Sequence, residues 1–286
     1  MRYRRLGDVE VSAVGLGEMP LSVEGRPSES EALRTIHASL DAGVTLIDTA
    51  DAYSLSTAEH GHGERLVAKA LSTYGSDTSR VIVATKGGHL RPGDGSWKVD
   101  GRPEYLVNAC ENSLRALGVD AIGLYQFHRP DPNVAYADSV GVLAELLDAG
   151  KIKMAGVSNA TVEQIDEANE ILGGRLVSVQ NQFSPFFRSS KDELVHCREL
   201  GVAFLAWSPL GGIGNTSKIG AKYAAFAQVA NARGCSVAQV TLAWILAKGE
   251  QVIPIPGSSR PETAIASAAA AEIDLSSEEL SLLDNG

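Results

Sequence analysis

Four side chains with complementary proton chemistry follow short apolar stretches of the sequence. Asp48 and Tyr53 come after VTLI, Lys86 after VIVAT and His128 after IGLYQF. A phenol has an ordinary pKa of about 10, which a nearby ammonium group lowers by favouring the phenolate. A carboxylate would keep that ammonium charged and oriented, and a neutral imidazole would hydrogen-bond a substrate carbonyl. Together, the four groups would form a general acid directed at a carbonyl oxygen.

A carbonyl reduction also needs a hydride donor, which no amino-acid side chain supplies, so a nicotinamide cofactor is implied. Each residue on its own has a simpler explanation. Asp48 would cap a turn, Tyr53 would pack, Lys86 would be solvated and His128 would be a structural histidine. The chemical interpretation therefore depends on a fold that brings all four residues to one place.

The segments between these residues predict such a fold. Short β-branched stretches alternate with segments of helical period, and the stretches lack clean apolar/polar alternation, as is typical of parallel strands buried on both faces. The eight predicted strands cover residues 11–17, 44–47, 81–85, 122–127, 152–157, 176–180, 202–206 and 252–255. Capping boxes are predicted to start helices at Ser28, Thr161, Ser236 and Ser276, and Pro103 and Pro261 fit first helical positions. We therefore expect an α/β fold, a single (β/α)8 TIM barrel over residues 1–286, with its active site at the C-terminal ends of the strands.

An N-terminal β-hairpin is expected at the bottom of the barrel, formed by residues 2–12 with a turn near Gly7 and Asp8. A doubly wound sheet is the main alternative fold. It is disfavoured because no G-x-G-x-x-G sequence opens a strand–helix turn. Gly15 and Gly17 end an early strand, but Pro20 follows and no helix begins at once.

The composition of the sequence argues against several kinds of binding partner. The net charge is −10 and Lys and Arg do not cluster, which argues against nucleic acid. No apolar stretch approaches the ~20 residues that span a bilayer, so no membrane partner is expected. The widely spaced Cys110, Cys197 and Cys235 are odd in number, which favours reduced thiols and a cytoplasmic protein. His60 and His62 have nearby acids but no obvious third ligand, so no metal site is expected.

The sequence resembles the aldo-keto reductase family over almost its whole length. The matching stretches, in the family's order, are LIDTADAY, VATKGG, LYQFHRPDP, AGVSNAT, VQNQFSP, AWSPLGG and IPIPGSSRPE. The resemblance implies that Tyr53 donates the proton, that Lys86 and Asp48 adjust its acidity and that His128 orients the carbonyl. It also implies that NADPH, or alternatively NADH, binds across the barrel mouth without a Rossmann motif.

The same resemblance assigns the cofactor contacts. Ser158, Asn159 and Gln180 would hold the nicotinamide amide, and Phe183 would stack on the ring, with core packing as the alternative role for Phe183. Further contacts are expected from the segment AWSPLGG, whose match in the family runs along the pyrophosphate; its residues are Trp207, Ser208, Leu210 and Gly212.

The segment after the last strand departs from the family pattern. A Lys-Ser pair, an Arg and a Glu-Asn pair of many members are replaced here by Gly257-Ser258, Thr263 and Ala266-Ser267. Arg260 is expected to bind the 2′-phosphate of NADPH instead, together with Ser258 and the amides of the following helix N-terminus.

The glycine-rich segment 87–103 carries Trp97, which we expect to form one wall of the substrate pocket, with Met19 and Tyr53 opposite. A surface-anchored tryptophan is the alternative. The expected activity is reversible, NADPH-dependent reduction of aldehydes and ketones to alcohols. The expected partner is a small aldehyde or ketone, and a monomer is one possible assembly.

Two other functions fit part of the sequence. One is an NADP-binding regulatory subunit on the same fold with little turnover. The other is a lyase or isomerase barrel that uses Lys86 as a Schiff base. It leaves four residues without a role: Ser158, Asn159, Gln180 and Arg260. Turnover of NADPH would separate the first from a reductase, and borohydride trapping would reveal the second.

Overall fold

A two-stranded hairpin opens the chain in the computed structural model, which describes residues 1–285. Strands β1 (Tyr3–Leu6) and β2 (Val9–Ser12) pair antiparallel, with Leu6 opposite Val9. Gly7 in the turn has a φ of 57°, which glycine adopts without strain. Leu6 and Val11 are fully buried against the lower interior of the barrel described next. The predicted hairpin at the barrel bottom is confirmed.

The main sheet contains eight parallel strands that follow one another in chain order. They are β3 (Leu16–Gly17), β4 (Leu46–Asp48), β5 (Ile82–Gly87), β8 (Leu124–Phe127), β9 (Ala155–Ser158), β10 (Leu176–Gln182), β11 (Ala203–Trp207) and β12 (Val252–Pro254). The two remaining strands, β6 (His89–Leu90) and β7 (Lys98–Val99), form an antiparallel hairpin within the segment after β5. The expected strand over residues 11–17 is wrong as one element, because its first part belongs to the hairpin at the bottom and only Leu16–Gly17 joins the barrel.

The sheet closes on itself between its first and last strands. The backbone N–H of Gly15 donates to the carbonyl of Pro254 (3.0 Å), and that of Gly17 donates to Pro256 (2.9 Å). A parallel bridge also joins Gly17 to Gly257. A Cβ atom at Gly17 would lie 2.8 Å from the carbonyl oxygen of Ile255, so this close approach requires glycine. The predicted TIM barrel is confirmed.

Helices cover the outside of the barrel. They are α1 (Glu29–Asp41), α2 (His62–Thr73), α3 (Pro103–Leu117), α4 (Tyr136–Asp148), α5 (Val162–Ile171), α6 (Lys191–Leu200), α7 (Thr216–Lys222), α8 (Ala224–Arg233), α9 (Val237–Leu246), α10 (Pro261–Ala269) and α11 (Ser277–Asn285). Short 3-10 turns lie at Met19–Leu21, Thr57–Glu59 and Ala270–Glu272. Within residues 1–285, no helix has the length and apolar character that crossing a membrane would need.

The predicted helix starts agree closely with the structure. Reciprocal capping boxes are formed at α5 by Thr161 with Gln164 and at α9 by Ser236 with Gln239. At α11, the Ser276 side chain accepts from the backbone of Glu279, whose carboxylate accepts from the backbone of Ser276. At α1 only half of the box is present, because Ser28 accepts from the backbone N–H of Glu31 without a return bond. Pro103 and Pro261 are the first residues of α3 and α10.

The pleat of each strand separates two sets of side chains. Outward residues such as Phe127, Val179 and Phe204 are buried in the layer between the sheet and the helices. Inward residues are apolar near the hairpin and polar near the other end. On β4, for example, Leu46 belongs to the apolar layer that holds Leu6, while Asp48 ends the strand. The mouth of the barrel is therefore the place where buried polar groups meet.

Candidate active site

Lys86 lies at the centre of the four predicted catalytic groups. Its side chain has no solvent exposure, and its Nζ donates to Asp48 Oδ1 (2.7 Å), to the carbonyl of Thr49 (2.8 Å) and to the Tyr53 hydroxyl (3.2 Å). An ammonium has three N–H donors, so these contacts use all of them. Burial alone lowers the pKa of Lys86, but the Asp48 carboxylate and the Tyr53 hydroxyl raise it above its ordinary value. The ammonium therefore remains charged.

Asp48 is held at both carboxylate oxygens. Oδ1 accepts from Lys86, and Oδ2 accepts from the side-chain amide of Gln180 on β10 (2.7 Å). These bonds link β4, β5 and β10 across the barrel interior and fix the direction in which the Lys86 ammonium points. Gln180 lines the cavity above, as its expected role in holding nicotinamide requires, and it also positions Asp48. That second contact was not foreseen.

Tyr53 receives a hydrogen bond and keeps its own hydrogen available. Lys86 donates to its hydroxyl oxygen, and no acceptor within residues 1–285 takes the phenolic hydrogen. Burial raises the pKa of Tyr53 above its ordinary value, because the opposing effect of Lys86 is smaller and Asp48 partly cancels it. The expectation of a net lowering is therefore wrong for this structure. Tyr53 holds its proton at neutral pH, as a proton donor must.

His128 completes the cluster from the end of β8. Its ring centre is 5.9 Å from that of Tyr53, and the two planes are close to perpendicular at 79°. Burial lowers the pKa of His128 well below its ordinary value, and the nearby His89, Lys86 and Arg129 act in the same direction. A neutral imidazole results, with one N–H donor and one acceptor nitrogen. This form suits a hydrogen bond to a carbonyl oxygen.

Asp48, Tyr53 and His128 line a cavity of about 1040 Å³ at the C-terminal ends of the strands, and Lys86 lies directly beneath them. Its volume is at the upper end of the usual range for ligand sites. Most of the predicted cofactor and substrate residues line the same cavity: Met19, Trp97, Ser158, Asn159, Gln180, Trp207, Ser208, Leu210, Gly212, Gly257, Ser258 and Arg260.

Phe183 is the exception and requires a correction. Its ring is buried in the outer layer, stacked on Trp244 at 5.6 Å and edge-on to Phe204 at 6.3 Å, and it is not among the residues that line the cavity. The reason is the two-residue period of β10, which turns Gln180 inward and Phe183 outward. Trp207, at the end of β11, lines the cavity, as Tyr53 and Trp97 do.

Two non-glycine residues at the mouth have positive φ angles. Asn159 follows β9 with φ 58°, and Ser208 follows β11 with φ 47°. Such conformations cost about 1–3 kcal/mol each and persist where the surroundings enforce them. Asn159 is held by hydrogen bonds from its amide to the carbonyl of His128 (3.0 Å) and to the Ser158 hydroxyl (3.0 Å). Its contact with nicotinamide remains a prediction.

Two other residues that line the cavity have unused polar groups. The Ser258 hydroxyl and the Trp207 indole N–H are buried and have no hydrogen-bond partner within residues 1–285. Arg260 is exposed at the start of α10, which has no side-chain cap. Orphaned donors, a guanidinium and an uncapped helix start are the groups that bind phosphate oxygens. The residues present therefore fit an anionic dinucleotide.

Three residues at or beside the site were not expected from the sequence. Glu18 directly follows β3, and Asp48 is the last residue of the neighbouring β4, so a rule that looks for polar residues at strand ends would have found Glu18. This fully buried carboxylate accepts from the hydroxyls of Ser22 and Thr49, the latter at 2.9 Å, and burial raises the pKa of Glu18 to about 7. Glu18 lies beneath the cavity without lining it, whereas His89 and Arg91 do line it. The only signal for them was their place in the long segment after a predicted strand.

The histidines considered for a metal site have other surroundings. His62 Nδ1 lies 2.9 Å from the Ser22 hydroxyl, and His60 Nε2 lies 3.8 Å from a carboxylate oxygen of Asp51. Across the described part of the chain, no three His, Cys, Asp or Glu side chains are grouped so that they could hold a metal ion.

Comparison with known proteins gives matches over nearly the whole chain. The model of the aldo/keto reductase family matches residues 13–285. The 6-dehydroglucose reductase of Novosphingobium aromaticivorans is 36% identical over 267 residues, which are 90% of this chain and 86% of that protein. The structure of the glycerol dehydrogenase of Gluconobacter oxydans has a TM-score of 0.83 at 29% identity. The match covers 99% of this chain and 94% of the glycerol dehydrogenase. An aldo/keto reductase from Klebsiella pneumoniae, solved with NADP and acetate, has a TM-score of 0.82 at 28% identity. The match covers 99% of this chain and 94% of the Klebsiella chain.

These matches agree with the fold and the site as built from the residues. The family model spans all eight barrel strands, and the solved relatives align along almost the full length of both chains. The resemblance read from the sequence is thereby confirmed. The chain belongs to the aldo/keto reductase family of NAD(P)H-dependent oxidoreductases.

Proposed function

We propose that the protein is an NADPH-dependent carbonyl reductase that converts aldehydes and ketones reversibly to alcohols. The observation that carries this proposal is the hydroxyl of Tyr53. It accepts a hydrogen bond from Lys86 at 3.2 Å and lines the cavity, so its own hydrogen can be donated to a substrate there.

The proton transfer follows from the charges around Tyr53. The phenol donates its proton to the carbonyl oxygen, and the Lys86 ammonium stabilises the phenolate that forms. Asp48, bonded to Lys86 at 2.7 Å, keeps the ammonium charged and directed at Tyr53. Neutral His128 donates a hydrogen bond to the same carbonyl oxygen and orients it. NADPH, when bound, supplies the hydride to the carbonyl carbon.

The cofactor preference rests on Arg260 and Ser258, which both line the cavity. Ser258, whose hydroxyl has no hydrogen-bond partner within residues 1–285, would bind a phosphate group, and the Arg260 guanidinium would bind the additional 2′-phosphate of NADPH. The Klebsiella relative was solved with NADP, which supports this assignment. The relatives named for 6-dehydroglucose and for glycerol support a substrate with several oxygen atoms.

The test is NADPH consumption with a panel of aldehydes, ketones and sugars. Wild-type enzyme should oxidise NADPH with at least one class. Tyr53→Phe should lower kcat by about 10²–10⁴-fold, the size of a lost general acid, while cofactor fluorescence shows unchanged NADPH binding. Undiminished turnover in Tyr53→Phe would refute the proposed acid. Tight NADPH binding with no turnover on any carbonyl would favour the regulatory subunit instead.

A further inference from the structure

His89, which has no role in the chemistry proposed above, lies directly against His128. The two rings are stacked, with centres 4.0 Å apart and planes 24° from parallel. Both side chains line the cavity, and both are largely buried, with exposures of 8% and 7%. The Nδ1 atom of each ring is buried and has no hydrogen-bond partner within residues 1–285. Because these Nδ1 atoms have no accessible surface, a ligand in the cavity would meet the Nε2 edge of each ring, which also makes no hydrogen bond within residues 1–285.

The position of His89 is fixed by the β6–β7 hairpin. His89 begins β6 and pairs with Val99 of β7. Its ring contacts that of Trp97, with centres 5.5 Å apart, and the guanidinium of Arg91 lies 4.3 Å from the Trp97 ring centre. Trp97 in turn lies edge-on to Tyr53 at 6.3 Å. His89 is thus held by packing, as a group that discriminates between substrates must be.

His89 is one of four ring side chains that contact one another around the cavity. Tyr53, His128, His89 and Trp97 contact one another in sequence around one part of the cavity, at centre separations of 5.9, 4.0, 5.5 and 6.3 Å. Because the ring centres of His128 and His89 are 4.0 Å apart, a substrate whose carbonyl oxygen contacted His128 would have its adjoining atoms close to His89. An oxygen on the carbon next to the carbonyl would then be within reach of His89.

The charge state of the pair favours an uncharged oxygen. Burial lowers the pKa of His89 to about 3, and the positive charges of Arg129 and Lys86 act in the same direction. Both histidines are therefore neutral near neutral pH, and each offers one donor and one acceptor. A hydroxyl group can use both, since it donates and accepts.

On the basis of the function proposed above, we propose that His89 binds an oxygen on the carbon next to the reacting carbonyl and is the residue that makes α-hydroxy carbonyl compounds the preferred substrates. His89 would act as a specificity-determining residue, and His128 would contact the carbonyl oxygen itself.

The test compares hydroxyacetone with butanone, which have the same shape but carry a hydroxyl or a methyl group beside the ketone. Wild-type enzyme should have the higher kcat/KM for hydroxyacetone. His89→Phe keeps an aromatic ring against His128 but removes both nitrogens. It should lower the hydroxyacetone-to-butanone ratio about fivefold, as expected for one hydrogen bond between uncharged groups, because kcat/KM for hydroxyacetone falls more than kcat/KM for butanone.

Two further variants make the result specific. His89→Gln restores an amide donor and acceptor and should recover part of the ratio. His196→Phe makes the matched substitution on α6, where the histidine contacts Asp166 at 2.7 Å and does not line the cavity, and should leave the ratio at the wild-type value.

Several outcomes would overturn the assignment. An unchanged ratio in His89→Phe would show that the ring nitrogens contact no substrate oxygen. An equal fall in kcat/KM for hydroxyacetone and for butanone would show that His89 only supports the His128 ring. A wild-type preference for butanone would also refute it. Absence of NADPH oxidation with every carbonyl would refute the proposed function, whereas turnover with an unchanged ratio refutes the role of His89 alone.

Discussion

Replacing Glu18 with glutamine should remove a pH-dependent loss of stability. Glu18 has no solvent exposure and accepts hydrogen bonds from Ser22 and Thr49. Burial raises the pKa of Glu18 from its ordinary value of 4.5 to about 7, because the hydrogen bonds and the charge of Lys86 offset only part of the desolvation. Glutamine has the same shape as the protonated acid but never ionises.

The sign and size of the effect follow from proton linkage. Between pH 4.5 and about 7 the folded protein keeps the Glu18 proton, while the unfolded chain has released it. The unfolded state then binds fewer protons, so stability falls as pH rises. At ~1.4 kcal/mol per pH unit across that window, wild-type protein loses about 3 kcal/mol of unfolding free energy that Glu18→Gln retains.

Chemical denaturation at about pH 5 and about pH 8 measures this difference directly. The unfolding free energy of Glu18→Gln minus that of wild type should increase by about 2.5 kcal/mol between the two conditions, slightly less than the full effect because the unfolded chain has already released most of this proton at about pH 5. Burial also raises the pKa values of Asp51 and Glu64, but both residues are present in both proteins, so their contributions to the difference in unfolding free energy cancel. Glu10→Gln, at an exposed position of β2, is the matched control. A difference that stays constant with pH would refute the assigned burial effect.

Three further substitutions test the site. Lys86→Met removes the ammonium 3.2 Å from the Tyr53 hydroxyl and should lower kcat about a hundredfold or more in steady-state assays, with the fold checked by circular dichroism. Arg260→Ala should raise the KM for NADPH about tenfold and leave that for NADH unchanged, since only NADPH carries the 2′-phosphate. Trp97→Ala removes an aromatic contact 6.3 Å from Tyr53 and should raise aldehyde KM severalfold; an unchanged KM would exclude Trp97 from the pocket.

Much of the site could be predicted because parallel strands share one edge. Once the alternation of strands and helices indicated a barrel, the residue after each strand had to lie at the mouth. Asp48, Lys86 and His128 were found in this way, and the structure brings them together with Tyr53. Local signals were equally reliable at helix starts, since a cap involves neighbours only three residues apart.

The predictions from sequence were wrong where contacts between distant parts of the chain determine the structure. The first barrel strand has two residues, too few to show a pattern, so it merged in the sequence with the hairpin strand before it. Strand β10 runs on to Gln182, two residues beyond its predicted end, and the continued pleat turns Phe183 away from the cavity. The net pKa of Tyr53 depends on depth of burial, and the stacking of His89 depends on how the β6–β7 hairpin folds back.

The apolar hairpin beneath the catalytic groups affects how ligands exchange. Leu6 and Val11 are fully buried below Asp48 and Lys86, so this lower end of the barrel offers no passage in the part of the chain that the structure describes. A molecule bound beside Tyr53 must depart by the opening through which it arrived. When two ligands occupy the cavity together, the one nearer the hairpin can leave only after the one nearer the opening has left.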